Sequence, residues 1–178
     1  MQAEEIDALI RAGKKRPLFE TSSAHAVDLA RPQIERLLQH RDPFLFVEKI
    51  THVDLEAKTI VGTRRIDPND PIFVGHFPGE PIYPGVLQVE SMGQLGLCLF
   101  ALATLGRTDV RPTDVPPPVR GLKIHHAIFL EALRPGDEVR MLARSIDHGE
   151  YTGVAVGQLF RGDVPCCFAI MEVYFVEA

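Results

Sequence analysis

The densest apolar stretch of the chain spans residues 84–105, a run of Val, Leu, Met, Ala and Phe whose single charged residue is Glu90. Pro84 suits the first position of a helix and Gly106 suits its stop, so the stretch predicts one long helix. A helix apolar on nearly all faces must be covered on all of them. On its N-terminal side, residues 44–50 are rich in strand formers, and residues 58–66 predict an antiparallel partner across a turn at 54–57. Asp67-Pro68-Asn69-Asp70-Pro71 then breaks the pattern. Beyond the helix, a proline-rich exposed connection (108–118) leads into four strand-like runs, about 119–130, 138–146, 151–160 and 165–176. They are separated by the turns Arg134-Pro135-Gly136-Asp137, Asp147-His148-Gly149 and Arg161-Gly162-Asp163. Two strands, one buried helix and then a meander predict an α+β fold, an antiparallel sheet wrapped around a central helix. Residues 2–12 predict a short helix, and residues 32–39 one or two turns with Ile34, Leu37 and Leu38 on one side. Residues 13–31 show no period. Residues 1–31 therefore read as a partly ordered extension, with Lys14-Lys15-Arg16 a solvated run, ahead of a domain at 32–178.

Composition narrows the class. A chain of 178 residues with 46% hydrophobic and 24% charged content is most simply one soluble globular domain. A net charge of −5 argues against broad binding to nucleic acid or anionic membrane, which need a basic surface. Cys98, Cys166 and Cys167 form no CxxC pair and read as reduced, buried thiols, which points to a cytoplasmic protein. Glu4, Glu5 and Asp7 stand where a signal peptide needs an apolar segment. The uncharged run 91–106 is shorter than the roughly 20 residues of a membrane span.

The candidate chemistry sits just before and within the long helix. Three prolines and three glycines fall among the eleven residues from Gly75 to Gly85, so this loop has a set shape, and it presents His76. Glu90 follows inside the apolar run, where a carboxylate is expensive unless paired or used. Gln94 lies one helical turn beyond Glu90, on the same face. His76 and Glu90 are 14 positions apart in different local structures, so they need not touch within one chain. This fits a site completed by a second subunit. A metal site from His76, Glu80 and Glu90 lacks a compact ligand pattern. His125 and His126 would face opposite sides of a strand, so at most one faces a site.

Several separated motifs in one order carry a family likeness. His40-Arg41-Asp42-Pro43-Phe44-Leu45-Phe46-Val47, then Gly75-His76-Phe77-Pro78-Gly79, then Pro84-Gly85-Val86-Leu87 leading to Glu90 and Gln94, resembles the FabZ-type 3-hydroxyacyl-acyl carrier protein dehydratases. The turn Arg134-Pro135-Gly136-Asp137 is similar to that family's Pro-Gly-Asp turn, and the likeness covers roughly residues 33–176. The resemblance implies a hotdog fold and a homodimer, often assembled as a trimer of dimers. It implies a cofactor-independent site that pairs His76 of one subunit with Glu90 of the other. The Gly85 N–H would be the oxyanion donor, and a non-proline cis bond would lie near His76-Phe77. Phe77, Tyr83, Val86 and Gln94 become candidate substrate-binding residues. Acyl carrier protein becomes the expected partner, with Arg120, Lys123 and Arg134 as candidates to meet its acidic surface. Glutamate at position 90, where FabA-type relatives carry Asp, favours the dehydratase-only branch. Departures are Tyr83 where relatives usually have Met, Ser91 and Gly93 where they often have Ala, a less basic 125–128 segment, and the long extension.

The implied chemistry suits these residue types. Dehydration of a 3-hydroxyacyl thioester needs a base for the C2 proton, an acid for the departing oxygen, and donors for the enolate-like thioester oxygen. Histidine suits the base near neutral pH. Burial of Glu90 among Leu87, Val89 and Met92 would favour its protonated form. The first turn of a helix supplies free N–H groups without any side chain. The alternatives on the same fold are a thioesterase, a CoA-linked enoyl hydratase, or a non-catalytic subunit that binds acyl chains.

Overall fold

The computed structural model describes residues 3–176. Seven strands, β1 (Ala26–Leu29), β2 (Lys49–Asp54), β3 (Thr59–Arg65), β4 (Val119–Phe129), β5 (Glu138–His148), β6 (Thr152–Arg161) and β7 (Val164–Phe175), form one sheet. The order is β1-β2-β3-β5-β6-β7-β4, and each neighbouring pair is antiparallel. The long helix α4 (Gly85–Leu105) packs against β3, β5, β6 and β7. Three shorter helices complete the chain: α1 (Ala3–Gly13), α2 (Arg31–Leu37) and α3 (Ile72–Gly75). The predicted helix at 84–105 and the four later strands are all present within a few residues.

The ends of α4 follow from its sequence. Pro84 caps the start in an extended conformation, and Gly106 ends it at φ 64°, its N–H donating to Ala103 O at 3.2 Å. Small residues let the helix approach the sheet closely. Gly157 on β6 lies between Ala143 and Ala169 of the neighbouring strands, and a Cβ built on it would stand 2.7 Å from Met92 Cβ. One turn along, a Cβ on Gly96 would be 3.3 Å from Ala155 Cβ. By length and composition α4 is long and apolar enough to cross a bilayer, but most of it is enclosed within the fold.

Two expectations need correction. The first concerns the extension. Residue 31 does not separate a loose tail from the sheet, because β1 pairs with β2 as an edge strand. Ile6, Leu9, Ile10 and Leu18 pack on Val156, Phe168 and Ile170, on the sheet face away from α4. Gln158, buried on β6, ties this segment down: it accepts the Leu18 N–H (2.9 Å) and donates to Gly13 O (2.8 Å) and Arg16 O (3.0 Å). This explains why β6 is buried along both faces instead of alternating. The second concerns residues 44–50. The strand is β2, beginning at Lys49, while Leu45, Phe46 and Val47 are buried in irregular structure. Their backbone is served by Gln94 instead of a neighbouring strand. Its Oε1 accepts the Phe46 N–H (2.7 Å) and its Nε2 donates to Phe44 O (2.9 Å).

Cys98, Cys166 and Cys167 are free and buried. His125 and His126 do diverge: His125 Nε2 meets Glu172 Oε2 at 2.7 Å, whereas His126 packs edge-on against Phe168. The 108–118 connection is pinned in part by Arg107, whose guanidinium donates to Asp114 at 2.6 Å and holds that carboxyl below its usual range.

Candidate active site

His76 caps the C-terminal end of the single turn α3, its N–H donating to Ile72 O at 3.0 Å. The loop then closes on itself through Phe77 N–Glu80 O (3.2 Å), Glu80 N–Phe77 O (3.0 Å) and Ile82 N–His76 O (3.1 Å). The His76-Phe77 peptide is cis. Nδ1 of the imidazole lies 2.9 Å from Ile82 O. A carbonyl only accepts, so Nδ1 carries the proton and Nε2 keeps its lone pair. The ring is thus set as a base at Nε2. Phe77, half-exposed, stacks on the imidazole at 4.0 Å.

His76 lines an open hollow of about 420 Å³ together with Pro84, Gly85, Val86 and Phe129. Gly85 is the first residue of α4, where no preceding turn supplies an acceptor for its N–H. A Cβ there would lie 2.7–2.9 Å from the Phe129 ring, so glycine is also what lets that ring close over the helix start. Val86 is 71% exposed at the mouth.

Glu90 lines a different hollow, of about 490 Å³, with His40, Gly93, Leu122, Lys123 and Ile124. The carboxylate is not enclosed among Leu87, Val89 and Met92 as the apolar run suggested, since its side chain is 35% exposed. Gln94 Nε2 donates to Glu90 Oε1 at 2.9 Å, and His40 Nε2 lies 3.4 Å from the same oxygen. His40 is the residue that the motif contained but residue-by-residue reasoning left without a role. Only its place in the His40-Arg41-Asp42-Pro43 segment marked it.

The other predicted contacts divide. Gln94 lines the Glu90 hollow and is buried with its amide committed to Glu90 and the 44–46 backbone, so it positions the carboxylate. Tyr83 sits in the wall of the His76 hollow with its side chain 1% exposed, its ring against Phe73 and the Arg64 guanidinium. Its phenol is pushed above its usual range by burial. Arg64 itself is buried over Phe46 at 4.4 Å and reaches Ser91 Oγ at 3.4 Å, so two of the family departures share one polar pocket of the core. Among the described residues no group of three or more His, Cys, Asp or Glu side chains is arranged to hold a metal. Glu80 instead faces Arg134 at 3.7 Å.

A long helix carried on one antiparallel sheet, with a histidine in the loop before it and a carboxylate two turns into it, defines a hotdog-fold protein. The FabA-like domain family matches residues 38–164. The chain is 35% identical over 147 residues to a Campylobacter concisus 3-hydroxyacyl-acyl-carrier-protein dehydratase FabZ, covering 82% of this chain and 96% of that one. To the FabZ of Xanthomonas oryzae pv. oryzae it is 38% identical over 146 residues, covering 79% and 92%. The chain therefore belongs to the FabA-like family, in its FabZ-type dehydratase branch. Solved structures agree on the fold. The dehydratase heterocomplex ApeI:P from Xenorhabdus doucetiae matches with TM-score 0.63 at 12% identity, over 81% of this chain and 91% of that one. A thioesterase from Haemophilus influenzae matches with TM-score 0.52 at 19% identity, over 75% and 80%.

Proposed function

We propose that this protein dehydrates 3-hydroxyacyl groups carried on acyl carrier protein, forming trans-2-enoyl thioesters in fatty-acid synthesis or a related polyketide-like pathway. The observation that carries the site assignment is the His76 tautomer: Nδ1–H is spent on Ile82 O, which leaves Nε2 as the base. In the reaction, Nε2 takes the C2 proton and the C2–H pair becomes the new C=C bond. The C3–O bond breaks, and Glu90 protonates the departing oxygen so that it leaves as water. His76 ends protonated and Glu90 ionised, and proton exchange with solvent resets both. The Gly85 N–H, at the positive end of α4, would stabilise the enolate-like thioester oxygen. The chemistry asks for no cofactor.

The two hollows support a site built by two copies of the chain. β4 is the end strand of the sheet, eleven residues long, with Leu122, Ile124 and Phe129 each more than half exposed. A long apolar edge of this kind needs a cover. Antiparallel pairing of two β4 strands about a two-fold axis sets the 119–124 end of one against the Phe129 end of the other. The Glu90 hollow lines the first end and the His76 hollow the second. Each composite site would then take His76 and Gly85 from one subunit and Glu90 from its partner.

The test is turnover of a short 3-hydroxyacyl-carrier substrate followed by mass spectrometry. Loss of water is expected; cleavage of the thioester would make the protein a hydrolase and overturn the reading. The shared site has its own test. Co-expression of His76→Ala with Glu90→Gln should restore roughly a quarter of wild-type sites, because half the dimers are mixed and each holds one intact site. Two inactive variants that stay inactive together while forming mixed dimers would place both groups in one chain. Gly85→Ala should lower turnover by about tenfold or more with little change in thermal midpoint. The three atoms nearest its Cβ all belong to the Phe129 side chain, the far end of a ring in the wall of the hollow, so the ring yields and takes up space in the hollow.

A further inference from the structure

We infer that His40 is a positioning residue that, with Gln94, decides which oxygen of Glu90 carries the acid proton. The inference rests on Glu90 acting as the acid of the proposed reaction.

Both neighbours meet the same oxygen. Gln94 Nε2 donates to Glu90 Oε1 at 2.9 Å, and His40 Nε2 lies 3.4 Å from Oε1. Nδ1 of His40 is buried without a hydrogen-bond partner. A buried N–H left unpaired costs more than a buried lone pair, so the ring proton belongs on Nε2, which lies 3.4 Å from Glu90 Oε1. An oxygen that accepts from the Gln94 amide and has the His40 Nε2–H within ion-pair distance is the poorer place for a proton. The acid proton therefore sits on Oε2, the oxygen left for the substrate's departing hydroxyl.

The segment that carries His40 is braced for this purpose. Arg41 donates to the carbonyls of Leu38 (2.8 Å), His40 (2.7 Å) and Glu35 (2.9 Å), tying both sides of His40 to the end of α2. On the other side Gln94 holds the backbone at Phe44 and Phe46, and the Phe44 ring stacks on His40 at 6.3 Å between centroids. One glutamine thus fixes the carboxylate and the loop that delivers its second donor. A small displacement of either would turn the carboxyl plane, and misplacements of this size can cost about 100-fold in rate.

The experiment compares His40→Phe and His40→Gln in the full-length protein, on the same carrier-bound substrate. Phenylalanine keeps the stacking and removes the donor; kcat should fall by about 10–100-fold with KM changed by no more than about threefold. Glutamine places an N–H donor near the former Nε2 and should recover most of kcat. Thermal midpoints show whether either variant has lost the fold, which a purely structural role for His40 would require. His40→Phe at wild-type kcat, or His40→Gln as impaired as His40→Phe, overturns the inference and leaves the dehydratase assignment standing. A wild type that releases no water overturns that assignment and this inference together.

Discussion

His76→Ala loses dehydration turnover by about 10²–10⁴-fold and keeps its fold. The loss follows from removing the Nε2 lone pair, the proposed base for the C2 proton, together with the ring whose orientation Ile82 O sets. The fold survives because the loop's shape resides in its backbone. The bonds His76 N–Ile72 O, Ile82 N–His76 O and the Phe77–Glu80 pair use no imidazole atom. The side chain is half-buried, and its one polar contact is a single hydrogen bond, a net contribution of about 1 kcal/mol. Steady-state turnover beside a thermal melt checks both halves. A variant retaining more than a tenth of wild-type turnover would remove His76 from the chemistry. Glu90→Gln should lose a similar factor, since its amide cannot deliver the acid proton.

The largest stability effect is expected at Gly157. Valine there gains up to about 1 kcal/mol of strand preference. Its Cβ, however, would stand 2.7 Å from Met92 Cβ, and Met92 is fully buried on α4. A Cβ is fixed to its backbone, so the conflict is relieved only by moving the helix off the sheet. Overpacking of this kind costs about 1–3 kcal/mol or more, and the two γ-carbons of valine push toward the upper end. The clash wins by about 2 kcal/mol, and the thermal midpoint should fall by roughly 4–8 °C. Gly93→Ala is the contrast. It also faces a methionine, but its Cβ would sit 3.5 Å from Met171 Sδ, an ordinary contact. There the gain in helix propensity of up to about 1 kcal/mol should raise the midpoint. A Gly157→Val protein as stable as wild type would mean that the helix is not held to the sheet by this close contact.

Much of the architecture was legible in the chain because its signals are local. An apolar run bounded by Pro84 and Gly106 marks one long helix, and the turns at 134–137 and 161–163 carry their own glycines, at φ 87° and 59°. The candidate site was marked by the ordered motifs around His76 and Glu90 that resemble the FabZ-type dehydratases, beside the single charge of Glu90 in an apolar run. Residues 44–47 failed as a strand for a reason no local pattern holds. Their backbone partner is an amide on α4, some fifty positions away. β1 failed likewise, since four residues with an exposed pattern become a strand only because β2 offers them an edge.

What the sequence determined by itself, then, is the helix, the meander and the two side chains proposed to react, all of which depend on residue type and spacing. What only the tertiary structure decided is how those side chains are held. The tertiary fold fixes the His76 tautomer, sets Gln94 and His40 beside one oxygen of Glu90, and assigns His76 and Glu90 to separate hollows along one edge strand. These are distances between residues remote in the chain, set by how closely α4 and the sheet can approach, and a linear pattern carries no such distance.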